Sequence, residues 1–555
     1  MGTLEQKPDN LLANVLCYLR SSSLFNELLC SAQDEAQRTN IRFTDLKKGV
    51  QNGLVTAGWD RKLRNAIYHF LQAQPSTASS GVQGSPEQIK EPITYVRKAQ
   101  LAWEKKILKS LNSMCTELTI PLARRRPERE QKDMMVRWTE LGVDGPAFMR
   151  GSSGICRGIA PHILPITFLW KANLDLSQIR PVYAPKDFLD VVIGMQNPNC
   201  TSTGNIGSSD YPWGLVHVSM KVKTLNELRL QYSEFAITQC QTGIDDLPDV
   251  PPELFDTDRT RLGRKVLAAK HAPISREFSK KGCPVSMRAE LWCHMLGVEL
   301  DNVDVLYYEQ LKSYVLQHDL LVDNLLYKDV KLTATNDDQY FVFEDFLYQI
   351  LLPFSRDTYI LKHFAYNSAT PPKSYIRGKL GVEEFAVTYP PNGVIPFHGF
   401  AMYVAPLCFL YNDVVQLYYV FRKMYIQYFF RLHSVSSHPQ GIVSLSLIFE
   451  QLLQAEEPEL FYQLKQVGCQ PLKIAFKWMM RAFSGFLASD QVLLLWDRIL
   501  AFDSLEVLPV LAVAIFSFRK TNLMKVQTFS AAEAVLADLF TLQVMPLLQL
   551  ALFSK

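Results

Sequence analysis

From about residue 259 to the end of the chain, apolar and aromatic residues recur at helical spacing almost without interruption. Apolar positions at i, i+3, i+4 and i+7 fall on one face of an α-helix, so a stretch this long has to bury helix against helix. The expectation is an all-α fold for the C-terminal half. Just before it, residues 243–258 read GIDDLPDVPPELFDTD, whose prolines and acids mark a boundary.

The N-terminal half is more varied. Leu11, Leu12, Val15, Leu16 and Leu19 keep helical spacing, and Leu24, Phe25, Leu28 and Leu29 resume it after Ser21-Ser22-Ser23, with helical character to about Leu71. Residues 75–92 are dominated by Pro, Ser and Gly and predict a linker. A second helix is expected over Leu101, Ile107, Leu108, Leu111, Met114, Cys115 and Leu118, ending near Pro121, and another over Leu225–Ile237. Between Gly151 and Gly214 the period is lost, which predicts loops with a few strands. No motif of chemistry stands out in residues 1–240.

Hydrophobic residues are 48% of the 555 and charged residues 20%, enough to bury a large core and too apolar for a mostly disordered chain. A net charge of +3 is near neutral for this length and does not suggest nucleic acid. The densest basic cluster, Arg124, Arg125, Arg126 and Arg129, is diluted by Glu128, Glu130 and Asp133 and reads as a solvated face. Ten cysteines lack CxxC spacing and fall mostly in apolar stretches, as at Cys17, Cys30, Cys115 and Cys408, which predicts reduced, buried thiols. Cys293 and His294 are adjacent without further metal ligands nearby, so no metal is expected. No signal peptide is read at the start, and Gln6 stands where a myristoylation motif beginning at Gly2 needs Ser or Thr. The Asn199-Cys-Thr sequon would go unused in a chain that stays in the cytoplasm. The apolar stretch Phe397–Val415 contains Pro406 and ends on Asn412 and Asp413, so a buried helix pair is expected there rather than a membrane span. The chain carries no GxxxxGK[ST], HExxH or GxSxG pattern, which excludes nucleotide hydrolysis by a phosphate loop of its own.

Four segments carry a likeness. Residues 282–297, GCPVSMRAELWCHMLG, place Gly282 and Pro284 in a turn and Arg288 and Trp292 one turn apart on a helix face, where guanidinium and indole can stack. Residues 326–333, LYKDVKLT, hold Leu326, Asp329 and Thr333. Residues 394–407, VIPFHGFAMYVAPL, hold Gly399, and residues 473–500 hold Trp478, Phe483, Leu493, Leu495, Trp496 and Asp497. In order and spacing these resemble the TBC-domain family, regulators of Rab GTPases. The resemblance covers roughly residues 275–520.

The resemblance implies an all-α, two-finger catalyst. A finger arginine would stabilise charge on the transferring phosphoryl group, and a finger glutamine would place the attacking water. Guanidinium forks onto phosphate oxygens, and a carboxamide donates and accepts at once. An arginine finger is typically worth about 10³–10⁵ in rate. In the register of Leu326 and Asp329 the arginine slot holds Leu332; with Leu320 and Asp323 it would hold Leu326, and neither is an arginine. The tyrosine and glutamine slots hold Pro396 and His398, whose ring could orient a water and, as imidazolium, add charge. Lys331, one position off, would point away, and Arg356 and Arg377 are arginines that could reach the site from another direction. The remaining signature residues, Gly282, Pro284, Arg288, Trp292, Asp329, Gly399, Trp478, Trp496 and Asp497, are expected to be structural, with Trp496 in the core and Asp497 as a cap.

The expected organisation is a helical module at 1–74, a linker at 75–95, a mixed, mostly helical region at 96–242, a linker at 243–270, a TBC domain at 271–520 and a C-terminal helix at 521–555. The resemblance further implies a GTP-form Rab partner and no cofactor of the chain's own, since Mg²⁺ and GTP would belong to the Rab. It also implies a cytoplasmic location and peripheral contact with endomembranes through that partner.

Overall fold

A computed structural model describes residues 8–36, 43–56, 58–73, 94–143, 177–195, 214–236, 258–336, 339–364, 373–377, 383–388 and 390–553. The expected linker over 75–92, the Asn199 sequon and most of the 243–258 boundary lie outside them. The described residues are overwhelmingly helical, with two short antiparallel strand pairs, Ala123–Arg125 with His318–Leu320 and Lys373–Arg377 with Glu383–Thr388. None of the described helices is long and apolar enough to cross a membrane.

Two compact units divide the chain, and neither follows the expected domain boundaries. The first gathers residues 1–83, 239–299 and 497–503. Its helices are Pro8–Ser21, Ser23–Ala36, Phe43–Thr56 and Trp59–Ala73, then Asp258–Ala269, Ala272–Ser279 and Arg288–Leu296. The first four are therefore not a separate module. Asn65 joins them to the later three: its amide donates to Lys270 O at 2.8 Å and its carbonyl accepts from Ala272 N at 3.1 Å. That supplies the cap which His271, at the start of the Ala272 helix, does not provide. The Asp258–Ala269 helix also occupies residues expected as linker.

The second unit gathers residues 84–238, 300–496 and 504–555. The region before the first boundary thus packs with most of the expected TBC domain. One cluster shows how. Leu111 and Met114 of the Thr94–Leu118 helix, Ala123, Ile179, and Leu320, Leu321, Val322 and Leu325 are all buried together. The strand pair beside it carries the basic cluster. Arg124 Nε lies 2.8 Å from Asp319 and its Nη2 2.8 Å from Glu130, while Arg126 Nη2 lies 3.2 Å from Asp319 and 3.5 Å from Asp323. These two arginines are half-buried rivets rather than a solvated face. Only Arg125 and Arg129 are exposed.

Further differences have local causes. The Pro185–Gly194 helix falls where loops were expected; Pro185 sits in its first turn, where a missing N–H costs nothing, and Asp187 accepts from Ala184 N at 2.8 Å. Of Phe397–Val415, Gly399–Cys408 is buried while Phe409, Asn412 and Asp413 are exposed, and the stretch forms two 3₁₀ helices, Phe400–Tyr403 and Ala405–Phe409, with Pro406 in the first turn of the second. The tail holds three helices, Lys520–Leu523, Phe529–Val535 and Val544–Phe553, rather than one. Cys17 and Cys30 are exposed, while Cys283, Cys293, Cys408 and Cys469 are buried.

Candidate functional site

Within the first unit the signature residues converge on one carboxylate. Gly282, at φ +109°, turns the chain after the Ala272–Ser279 helix, and Pro284 opens a 3₁₀ turn leading into the Arg288 helix. From that helix Arg288 Nε donates to both oxygens of Asp497, at 3.1 and 3.0 Å, and Trp292 Nε1 donates to Asp497 Oδ1 at 2.6 Å. All three side chains are buried. Asp497 lies inside the Ser489–Phe502 helix, so it is no cap; it is the acceptor that joins Arg288 and Trp292. Trp496 and Trp478 belong to the second unit. Trp496 Nε1 donates to Ala482 O at 3.0 Å, holding a tight turn in which Ala482 and Phe483 both have positive φ. Trp478 is buried against Phe483 and Phe516.

The second unit contains the cleft. Its wall is the Leu321–Asn336 helix, on which Leu325, Lys328, Asp329 and Leu332 follow at helical spacing and face it together. Pro396, Phe397 and His398 line it as well. Asp329 ties the two elements together: Oδ1 accepts from Gly399 N at 2.6 Å and Oδ2 from Ala401 N at 2.7 Å. Gly399 has φ +98°, and a Cβ there would fall 2.3 Å from the Arg481 guanidinium, so only glycine fits. Arg481 Nη2 in turn donates to His398 O at 2.8 Å.

The register built on Asp329 therefore brings Leu332 and His398 to one cleft. In the other register, Asp323 is buried in a salt bridge with Arg356 and accepts from Leu320 N at 3.1 Å. That removes Arg356 as a source of charge: its Nη2 lies 2.6 Å from Asp323 and also donates to His318 O, and the side chain is buried. Lys331 is exposed and does not line the cleft. Arg377 lies on the Lys373–Arg377 strand.

His398 is half-buried, its Nδ1 3.9 Å from Asp329 Oδ1. Burial holds its pKa below the ordinary histidine value; Asp329 opposes this, while Arg481 and Lys328 reinforce it. The shift favours the uncharged ring over the imidazolium. Burial also pushes the Asp329 carboxyl up, against its two N–H donors and Arg481.

The rest of the cleft was not expected from sequence. Ile179, Arg180 and Pro181 line it too. Their segment is fixed to both walls: Lys328 Nζ donates to Ile179 O, and His398 N donates to Tyr183 O at 3.1 Å. Ile179 is buried in the cluster around Leu325, and Tyr183 packs edge-on against Trp103 at 5.0 Å. Nothing local in the sequence pairs this segment, inside a region without period, with a lysine 149 positions later.

Residues 397–524 match the Rab-GTPase-TBC domain. Over 544 residues the chain is 54% identical to human TBC1 domain family member 19, covering 98% of both chains. A crystal structure of the Chlamydomonas flagellar RabGAP TBC domain aligns with 60% of this chain and 92% of its own, at 12% identity and a TM-score of 0.37. With the signature residues in place and a relative of this identity matched over nearly the whole length, the chain belongs to the TBC-domain family of Rab GTPase regulators.

Proposed function

We propose that the chain engages a Rab GTPase in its GTP form at the Leu332–His398 cleft, and that it lacks the paired arginine and glutamine fingers of its family. The observation that carries this is the Asp329 clamp. It sets Leu332 and the His398 loop side by side, where the resemblance puts the two fingers, and neither position carries the arginine or the glutamine. Leu332 has no charge, and a neutral imidazole is a poorer water-holder than a carboxamide. Any acceleration of hydrolysis has to come from another group. A second reading, a module that binds a Rab or other trafficking protein without stimulating hydrolysis, is favoured by Leu332 itself. On either reading the chain acts from the cytoplasm and reaches endomembranes through its partner.

Single-turnover GTP hydrolysis across a panel of purified Rabs, with and without the full chain, tests this. We expect binding to at least one GTP-loaded Rab, with acceleration well short of the roughly 10³–10⁵ of an arginine finger. The Leu332→Arg/His398→Gln double variant is expected to raise the rate on the same Rab. Full-strength acceleration by the unmodified chain, or no binding to any Rab, would sink the reading.

A further inference from the structure

We propose that Arg180 is the cation that meets the nucleotide phosphates of a bound Rab, supplied from the Ile179–Tyr183 segment in place of the arginine missing at position 332. The proposal rests on the Rab-binding reading above and names the group that reading leaves open.

Position is the first argument. Arg180 lines the same cleft as Leu332 and His398. Its backbone is held by Lys328 Nζ on Ile179 O at one end and by His398 N on Tyr183 O at the other, so it is fixed to both elements on which the fingers would sit. A buried Ile179 anchors the segment in the core. The backbone is fixed in this way, and only the side chain has to turn from Ser110 to meet a phosphate.

The second argument is how loosely the side chain is held. Arg180 Nη1 donates to Ser110 Oγ at 2.8 Å, Nη2 makes a long bond to Ser110 O at 3.4 Å, and the Glu117 carboxylate lies 3.6 Å away. The Arg180 and Glu117 side chains are 43% and 56% exposed. An exposed pair of that kind contributes little, and a phosphate offers two charged acceptors where Ser110 offers neutral ones. The neighbouring arginines are committed elsewhere: Arg481 to His398 O beneath Gly399, Arg356 and Arg126 to Asp323. Lys328 is engaged by Ile179 O.

In the step it would assist, water oxygen bonds to the γ-phosphorus as the bond to the β–γ bridging oxygen breaks. GDP and inorganic phosphate leave, and the water proton passes to a phosphate oxygen. Arg180 exchanges neither proton nor electron; it stabilises charge on the transferring phosphoryl oxygens.

The test compares the full chain with its Arg180→Ala and Arg180→Lys variants. Affinity is measured for each Rab loaded with GDP, with a non-hydrolysable GTP analogue, or with GDP plus aluminium fluoride as transition-state mimic, alongside single-turnover hydrolysis. Arg180→Ala should weaken binding of the aluminium fluoride form by about tenfold or more, leave the other two within about twofold, and reduce hydrolysis in step. Arg180→Lys, which keeps charge without the fork, should fall between. Equal weakening of all three forms would mean a structural role and overturn the proposal, as would no change in any. A Rab that binds the unmodified chain with no preference for the aluminium fluoride form leaves the Rab-binding reading standing and removes Arg180 from it. Binding to no Rab in any state removes both. Melting curves of both variants establish that each is folded.

Discussion

Asp497 shows how a spacing read along the chain becomes a physical object. Arg288, Trp292 and Asp497 read as two separate motifs, and a stacked Arg–Trp pair was the expectation. In the structure the three share one carboxylate, buried beside a second arginine, Arg498, 3.6 Å from it. Asp497→Ala would remove the buried acceptor of the Arg288 guanidinium and the Trp292 indole N–H, at a cost of about 3–5 kcal/mol. Chemical denaturation should show that loss, and a change below about 1 kcal/mol would mean that water replaces the carboxylate. Gly399 makes the complementary case at the cleft. Gly399→Ala would meet both positive φ and the Arg481 guanidinium, an expected loss of about 1–3 kcal/mol from the backbone alone. In an Arg481→Ala background the same substitution should cost less, because only the backbone strain remains. Additive losses in that double-mutant cycle would show that the two do not touch.

Elements were legible where a single face is apolar. The Thr94–Leu118 helix matches its spacing, while of the helix expected over Leu225–Ile237 the α-helix covers Leu225–Gln231 and a 3₁₀ turn Ser233–Phe235 follows. Pro185 misled because a proline that starts a helix and a proline that breaks one look alike without the neighbouring Asp187 bond. The strand pair at Ala123–Arg125 escaped because three residues carry no period, and its partner lies about 195 positions away. Of the cleft, the Asp329 and Gly399 positions were legible; the Ile179–Tyr183 segment was not, since its partners are all distant. The turn after the Val414–Gln427 helix carries a pH dependence. His433 is enclosed by aromatic rings, with Tyr425 OH 2.8 Å from Nε2, and burial lowers its pKa from 6.5 to about 3. Between those values the unfolded chain holds a proton that the folded one does not. Stability is therefore full above pH 6.5 and falls as the pH drops toward 3. By pH 5 the loss from this group is about 2 kcal/mol. His433→Gln should lessen the fall in melting temperature between pH 7 and pH 5 without removing it, because burial lowers His438 to about 3 as well, and an unchanged slope would place the acid sensitivity elsewhere.

At the scale of the whole molecule, the family boundary misleads. A fragment of residues 271–520 would lose Leu111, Met114 and Ile179 from the cluster around Leu320–Leu325. It would also lose Asn65 from the Ala272 helix. We expect that fragment to be insoluble or to lack a cooperative melt while the full chain keeps one; a soluble fragment that melts cooperatively would show that residues before 271 are dispensable.

The first unit is assembled from chain pieces at 1–83, 239–299 and 497–503. A ribosome making this protein releases Arg288 and Trp292 well before Asp497, which follows 209 residues behind the arginine. At roughly 5–20 residues per second, Arg288 and Trp292 wait about 10–40 seconds for the carboxylate that joins them. The first unit cannot close until Asp497 has been made, so a premature stop before codon 497 leaves a product whose first unit never completes.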